Sequence, residues 1–328
     1  MKRFALLALG LLVIVAIAGF AGPAKETAKK EVTIGLSMPS LDAPYWKVWI
    51  EGFKKSTEKL GWKYVTTDGE GILNQQIDQI EDLYHKKVDA LVIVPLDAKG
   101  LVPIINKIYN DSGKKFPMIT ANVMTDPPVL DSLVGYAGPN PYDEAAKLAE
   151  AFIGFLKQKG IQKISGVMIT GEPGYSDTID REKGFVETLK KMGWQDKIIF
   201  LDKQPGNWMM DEAQKVMENF LTTYGEKIQF VYGQDGTMVY GAWGAIQGAG
   251  YKPGQIYLLG IGGQKEELQL IQEGAQLFSI DQPPSADSAK ALEVLQKVLN
   301  GQKVEYYNYI NTPVVTKDNV KDFLPGEW

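Results

Sequence analysis

From residue 32 onward, the sequence alternates short apolar runs with longer amphipathic stretches. Most of the runs are unbroken, as strands are when helices cover both faces of a parallel sheet. Between the runs, apolar residues recur at helical spacing, as Trp49, Phe53 and Leu60 do before Gly61. The alternation predicts an α/β fold with doubly wound parallel sheets. The predicted strands are 32–37, 63–67, 90–94, 118–121, 133–136, 163–170, 198–202, 229–232, 256–261 and 276–280.

The number of strands predicts two lobes. Ten strands are too many for one ordinary open sheet, and five of them precede a Gly- and Pro-rich segment at 132–142 while five follow it. We therefore expect two similar α/β lobes, with a first crossing in that segment. Ligands of open α/β sheets bind beyond the carboxyl ends of the strands, so we expect a binding cleft between the lobes.

The first 31 residues have the pattern of a secretion signal followed by a leader. A basic start, Met1-Lys2-Arg3, precedes seventeen apolar residues and two small-x-small sites at 16–18 and 19–21. We expect a signal peptide at 1–21 and a disordered leader at 22–31, with the cleaved product periplasmic or extracellular and not inserted in the membrane. The alternative is an uncleaved anchor, for which seventeen residues is the lower limit.

Charge and rare residues exclude several classes of function. The chain has no cysteine and one histidine, His85, which argues against disulfides, thiolate metal sites and a cysteine nucleophile. Its net charge of −5 provides no basic excess to bind phosphates, so nucleic acid is not an expected partner. No second histidine accompanies His85, and we expect neither a metal nor a cofactor; the alternative is calcium bound by aspartates and glutamates alone.

Aromatic, amide and charged residues recur just after the predicted strands. An aromatic ring at a helix start often packs in a core, and an arginine on a helix often faces solvent. Two adjacent rings on a helix, however, point about 100° apart, so both cannot face the same core. The side chains that we expect to contact a ligand are Tyr45, Trp46, Asn122, Arg181, Trp208, Gln234, Asp235 and Gln282.

This combination of side chains suits a neutral polyhydroxyl ligand. Aromatic rings stack on the apolar C–H faces of a sugar, while amides, carboxylates and a guanidinium meet its hydroxyls. Among the polar residues, we expect Arg181 to contribute most to binding, because its five donors can bridge two hydroxyls.

Several stretches resemble the periplasmic sugar-binding proteins of the ribose, arabinose and galactose type, which are the binding subunits of ABC importers. The resemblance covers most of residues 32–315. It implies the type I periplasmic binding protein fold, with lobes of 32–137 plus 283–312 and 138–282 plus 313–328 joined by a three-segment hinge. The most specific stretches are VTIGLSMPSLDAPYWKVWIEGFKKSTEKLGW, DREKGF, VYGQDGTMVYGAWGAIQGAGY and IDQPP.

The resemblance also implies roles for individual residues. Tyr45 and Trp46 match the paired aromatics of the family, Arg181 matches its hydroxyl-binding arginine, and Trp208 matches an aromatic of the second lobe. Asn122 stands where the family has an aspartate, Gln234 stands for the asparagine before Asp235, and Gln282 lies at a hinge crossing.

Three positions depart from the family pattern. Ala43, Val123 and Gly262 stand where the family has polar partners of the sugar. We expect Gln264, Asp97 or Glu172 to substitute for them. The loss of polar partners favours a pentose, a deoxy sugar or a small cyclic polyol over an ordinary aldohexose.

The resulting prediction is a monomeric, non-enzymatic binding protein that delivers a small neutral sugar or polyol to an ABC transporter permease. A receptor for a sugar-like signal, passed to a sensor, would have the same fold and differ in ligand and partner. An extracytoplasmic hydrolase would require a nucleophile with its base or a pair of carboxylates, and the sequence provides no such constellation. The repressors that share the fold carry a DNA-binding segment where this chain carries its apolar leader.

Overall fold

The computed structural model describes residues 31–125 and 129–328. The predicted signal peptide at 1–21 and residues 22–30 of the predicted leader lie outside these residues. Within the described ranges, no helix combines the length and apolar character needed to cross a membrane.

The elements alternate along the chain as predicted, and each of the ten predicted strands is confirmed. The strands found in the described residues are β1 (Thr33–Met38), β2 (Lys63–Asp68), β3 (Ala90–Ile93), β4 (Met118–Ala121), β5 (Gly135–Gly138), β6 (Ile164–Thr170), β7 (Ile198–Pro205), β8 (Phe230–Gly233), β9 (Tyr257–Leu259), β10 (Ser279–Ile280), β11 (Tyr307–Tyr309) and β12 (Val314–Val315).

Most of the helices have the amphipathic patterns seen in the sequence, and the first ends at Gly61 in the left-handed conformation. The α-helices found in the described residues are α1 (Pro44–Leu60), α2 (Leu73–His85), α3 (Val102–Asp111), α4 (Pro141–Gln158), α5 (Ser176–Lys191), α6 (Met210–Tyr224), α7 (Gly236–Gly248), α8 (Lys265–Glu273) and α9 (Pro284–Leu299). Short 3-10 turns lie at Gly225–Lys227 and Val320–Asp322.

The strands form two main sheets, both parallel. The first has six strands in the order β11-β5-β4-β3-β1-β2, and the second has four in the order β7-β6-β8-β9. A small antiparallel pair, β10 with β12, lies beside the second sheet and is joined to it by bridges at Leu259 and Gly262. The fold is thus the α/β architecture that the alternation predicted. The lobe boundaries themselves remain a prediction.

Two strands, β11 and β12, were not predicted, because neither has the apolar pattern of a buried strand. β11 lies at the edge of the first sheet, and its Tyr307 and Tyr309 are exposed. β12 has only two residues and pairs with β10. Both strands follow α9, so the chain returns to the first sheet and then to the β10–β12 pair after its last long helix.

Helices cover both faces of each sheet. On the first sheet, α1 and α9 pack on one face around Trp49 and Phe53, and α2 and α3 pack on the other. On the second sheet, α4 and α5 cover one face and α6 and α7 the other. The central strands β3, β4 and β8 are buried throughout, which explains their unbroken apolar runs.

The contact between α4 and α5 depends on Gly184. A Cβ atom at this position would overlap the carbonyl oxygen of Tyr142 on α4. This close approach brings together the two helices that carry Glu144 and Arg181, whose side chains meet at the site described below.

We predict that Gly184→Ala destabilises the protein, because overpacking of a tight contact costs about 1–3 kcal/mol. The matched control is Gly154→Ala on α4, where an added Cβ meets nothing within 4 Å. There the substitution should stabilise the helix by about 0.4–1 kcal/mol. Urea unfolding of both variants checks the pair, and a Gly184→Ala protein as stable as the wild type would contradict the close-packing argument.

Candidate functional site

A cavity of about 280 Å³ opens at the carboxyl ends of the strands, between the two sheets. Three kinds of residue line it. The aromatic ones are Tyr45, Trp46, Tyr175, Trp208 and Trp328. The polar ones are Asn122, Asp177, Arg181, Asp235, Thr237 and Gln282, and the small or apolar ones are Ala43, Pro44, Ile261 and Gly262. Seven of the eight predicted site residues are therefore brought together, the exception being Gln234.

The aromatic rings stand in two groups. On the side of the first sheet, the ring of Tyr45 lies edge-on to Trp46 and to Trp328, with centroids 5.1 Å apart in both pairs. On the side of the second sheet, Trp208 lies edge-on to Tyr175 at 6.0 Å. Both rings of the predicted pair, Tyr45 and Trp46, line the cavity.

The position of Trp208 depends on unusual backbone geometry. Its φ is +62°, a value that side chains other than glycine rarely adopt. Its ring lies directly over Gly171, where any Cβ would overlap the ring atoms. Strained residues of this kind are concentrated at functional sites, which fits the place of Trp208 at the cavity.

Asn122 follows β4 and turns its amide toward the first-sheet side of the site. Its φ of +61° is tolerated by asparagine better than by most residues. Its Nδ2 donates to Asp287 Oδ2 at 2.7 Å and to the Tyr45 hydroxyl at 3.2 Å. Its backbone carbonyl accepts a hydrogen bond from the Tyr136 hydroxyl at 2.7 Å.

Asp287, on the first turn of α9, does not line the cavity but holds two residues that do, and it was not among the predicted residues. Its Oδ2 accepts hydrogen bonds from Tyr45, from Asn122 and from Trp49 Nε1, the last at 2.9 Å. The side chain is fully buried. Burial raises the pKa of Asp287 to about 7, and the three hydrogen bonds oppose that rise only in part.

Arg181 forms a buried ion pair with Glu144. Its Nη2 lies 3.0 Å from Glu144 Oε2 and also donates to Gln282 Oε1 at 2.8 Å, while Nη1 donates to the carbonyl oxygen of Gln234 at 2.7 Å. Burial opposes the positive charge, and the carboxylates of Glu144 and Asp177 more than offset it and raise the pKa of Arg181. The guanidinium therefore stays charged.

These bonds change the role expected of Arg181. From the sequence, the donors of Arg181 were expected to bridge ligand hydroxyls, but three of its hydrogen bonds go to protein atoms. Its Nε is buried and has no hydrogen-bond partner in the described part of the chain. The geometry favours a residue that positions the site over one that provides most of the ligand contacts.

Gln282 connects the two sides of the cavity. Its Oε1 accepts from Arg181, and its Nε2 donates to the Tyr45 hydroxyl at 3.1 Å. Gln234 differs from the prediction, since it does not line the cavity and its side-chain hydrogen bonds among the described residues go to backbone atoms. Its Oε1 accepts from Gly171 N–H, and its Nε2 donates to the carbonyl oxygen of Thr178.

Two carboxylates of the cavity lining have no basic side chain as a hydrogen-bond partner in the described residues. Asp235 caps α7 by accepting from Met238 N–H at 2.8 Å. Asp177 accepts a 3.5 Å hydrogen bond from Ser176. Burial raises the pKa of both carboxyls to about 6. Such groups can accept hydrogen bonds from a bound hydroxylated molecule.

Several lining residues were not predicted as ligand contacts. Tyr175 and Asp177 follow β6, so the rule that located Arg181 could have found them. Trp328 follows no strand closely, and no local pattern marks it. The expected substitutes for lost polar partners, Gln264, Asp97 and Glu172, do not line the cavity.

The described residues contain no group of three or more His, Asp or Glu side chains arranged to hold a metal ion. The chemistry that the cavity offers is recognition of a small molecule with both apolar faces and hydroxyls. Aromatic rings provide the stacking surface, and amide and carboxylate groups provide donors and acceptors.

Comparisons with known proteins agree with this architecture. The model of the periplasmic binding protein domain family matches residues 34–303. Over 286 residues the chain is 28% identical to the ribose import binding protein RbsB of Bacillus subtilis, covering 87% of this chain and 88% of that protein. It is 27% identical to a xylitol-binding protein of Mycolicibacterium smegmatis, in an alignment that covers 81% of this chain and 71% of that protein.

Two solved structures share the fold. One is a galactofuranose binding protein, with a TM-score of 0.80 and 23% identity over 89% of this chain and 96% of that one. The other is an ABC transporter solute binding protein from Bacillus halodurans with bound myo-inositol. Its TM-score is also 0.80 and its identity 23%, over 92% of this chain and 100% of that one. At this identity the likeness concerns the fold.

We predict that Arg181→Met lowers the free energy of unfolding by about 3–5 kcal/mol, because it removes the charged partner of Glu144, whose buried carboxyl must then take up a proton or stay unpaired. The control is Lys203→Met, which removes a pair with Glu182 whose side chains are 49% and 34% exposed. That loss should cost only about 0–1 kcal/mol. Chemical unfolding measures both values, and equal losses would contradict the structural role of the buried pair.

A second prediction concerns pH. The native pKa of Asp287 is about 7, against an ordinary value of 3.8, so the folded state holds this proton more tightly than the unfolded state. Its contribution to stability is full below about pH 4 and is lost as the pH rises through about 7. Asp287→Asn should make stability less dependent on pH between 4 and 7, by up to roughly 1.4 kcal/mol per pH unit.

Urea unfolding at several pH values tests this slope. The variant Asp318→Asn, which changes an exposed aspartate, is the control and should keep the slope of the wild type. An unchanged slope in Asp287→Asn would show that other groups carry the pH dependence.

Proposed function

Because this chain belongs to the periplasmic binding protein domain family, we propose that it captures a small sugar or polyol outside the cytoplasm and delivers it to the permease of an ABC importer. The observation that carries the proposal is the cavity at the carboxyl ends of both sheets, with five aromatic rings and polar groups of both hydrogen-bonding kinds. The ligand leaves chemically unchanged, so the protein is a carrier without catalytic activity.

The size and charge of the cavity support a small neutral ligand. A volume of about 280 Å³ is at the low end of small-molecule sites, which suits one sugar ring better than an oligosaccharide. Arg181 is already neutralised by Glu144, so it does not call for an anionic ligand. Asp177 and Asp235 remain to accept hydrogen bonds from hydroxyls.

The lining supports fewer polar contacts than an aldohexose site requires. Ala43 and Gly262 line the cavity without a polar side chain, and Val123 is buried. The proposed ligand is therefore a pentose, a deoxy sugar or a small cyclic polyol. Among the relatives, the ribose import binding protein is named for a pentose, which agrees with this class.

The proposed mechanism is closure of two lobes around the ligand. The lobes comprise 32–137 plus 283–312 and 138–282 plus 313–328, and the chain crosses between them near Ala137, Gln282 and Thr312. Residues from both sheets line the cavity, so a ligand there has different contacts in open and closed states. Such differential affinity is what drives closure. The carrier acts as a monomer.

The test is a binding screen with D-ribose, xylitol, myo-inositol and D-galactose, read by thermal shift and calorimetry. A ligand at about 100 times its Kd adds about 2.7 kcal/mol to the stability of the native state. Small-angle scattering of the saturated protein should show a smaller radius of gyration. Binding to no sugar or polyol would contradict the proposed function, and an unchanged radius would contradict closure.

We predict that Asp177→Asn weakens binding of the best ligand in this screen by about 1–3 kcal/mol, because an acceptor of a ligand hydroxyl becomes a donor in a buried site. Glu172→Gln is the matched control, since Glu172 lies close along the chain but is exposed and outside the cavity lining. The affinity of the Glu172→Gln variant for the same ligand should equal that of the wild type. Equal losses in both variants would remove Asp177 from the proposed contacts.

A further inference from the structure

The final residues of the chain, Gly326 to Trp328, lie against elements of both sheets. Gly326 packs closely on the start of α8, and the Trp328 carbonyl oxygen accepts a hydrogen bond from Lys265 N–H at 2.8 Å. Upstream, Phe323 and Leu324 pack against the apolar face of α8. These contacts attach the segment to the second-sheet side of the cavity.

The same segment also reaches the first-sheet side. The Glu327 carboxylate accepts hydrogen bonds from the backbone N–H and the hydroxyl of Ser285, at 3.0 and 2.6 Å. Ser285 lies in the first turn of α9, where unpaired N–H groups and the helix dipole favour a carboxylate. Because α9 packs on α1 and on the first sheet, Glu327 joins the two sides of the cavity.

The ring of Trp328 packs closely against Tyr45 and Gly262. It lies edge-on to Tyr45, and its Cζ2 would be 3.3 Å from a Cβ at position 262. Gly262 has a φ of +150° and no side chain, so the ring packs where a side chain at this position would begin. The ring and the small residues Ala43 and Gly262 together shape this part of the cavity.

The surroundings of Trp328 differ from those of a core residue. Phe323 and Leu324 belong to a hydrophobic cluster of the described residues, and Trp328 does not. Its Nε1 is buried and has no hydrogen-bond partner in the part of the chain that the structure describes. This donor is hydrogen-bonding capacity that the described residues leave unused.

We infer that Trp328 determines which sugars or polyols the cavity accepts, by providing an aromatic face and a hydrogen-bond donor next to Gly262, which has no side chain. Glu327 holds Trp328 in place through Ser285. This inference rests on the proposed function, because it concerns the ligand of the same site. It predicts that ligand size is selected by a residue at the far end of the chain.

Calorimetry with D-ribose, xylitol, myo-inositol and D-galactose tests the inference on the wild type and on Trp328→Ala. The loss of the ring should weaken binding of the best wild-type ligand about tenfold or more. It should also shift the ratio of affinities toward the larger ligands, since the cavity is enlarged. Trp328→Phe, which keeps a ring but loses the donor, should lie between the two and remains informative if Trp328→Ala folds poorly.

Two controls separate selection from general damage. Tyr240→Ala removes an exposed ring of α7 that does not line the cavity, and it should leave all affinities unchanged. Glu327→Gln should weaken all ligands by a similar factor, about threefold, because it alters the attachment of the segment without changing the ring. Asp322→Asn changes an exposed acid in the 3-10 turn before this segment; it is the second control and should have no effect.

The outcomes distinguish this inference from the proposed function. If the wild type binds none of the four compounds, the proposed function fails and the inference fails with it. If the wild type binds, and both Trp328 variants keep its affinities and their ratios within about threefold, the inference alone is overturned. A weakened affinity with a shifted ratio in Trp328→Ala supports it.

Discussion

The buried ion pair between Arg181 and Glu144 is the interaction on which the site depends. A charge in the interior is tolerated only when its partners surround it, because desolvation is costly in a medium of low dielectric constant. Arg181 therefore requires the carboxylate of α4, the carbonyl oxygen of Gln234 and the amide of Gln282 at the same time. One guanidinium therefore fixes the relative positions of α5, the end of β8 and the segment before α9.

A network of hydrogen bonds connects Arg181 to the first-sheet side of the cavity. Gln282 accepts a hydrogen bond from Arg181 and donates one to the Tyr45 hydroxyl. That hydroxyl in turn donates to Asp287, which also accepts a hydrogen bond from Asn122. The side chains in this network are largely committed to one another, so they hold the cavity in shape. What they leave for a ligand is the aromatic surface and the carboxylates at the rim of the network. A preorganised site of this kind loses less entropy on binding than a flexible one.

Most of the fold and most of the site could be predicted from sequence patterns. The strands β3, β4 and β8 are covered on both faces, and burial of that kind imposes the unbroken apolar runs that were recognised. The site residues that follow strands were found because the carboxyl ends of parallel strands converge. The two strands β11 and β12 were missed, since one is an exposed edge and the other has two residues, and neither needs an apolar pattern.

The sequence by itself determined the α/β class, the order of the strands along the chain and the residues near the cavity, because hydrophobic periodicity and turn residues act locally. Only the tertiary structure decided what each residue does there. Gln234, predicted as a contact, bonds to backbone. Trp328, which no local pattern marked, lines the cavity, and Asp287 supports Tyr45 and Asn122 from behind the lining. Their partners lie far away in the sequence, 242 positions apart for Tyr45 and Asp287. Contacts over such separations arise when helices that are far apart in the sequence pack together, as α1 and α9 do on the first sheet, and local sequence does not encode that packing.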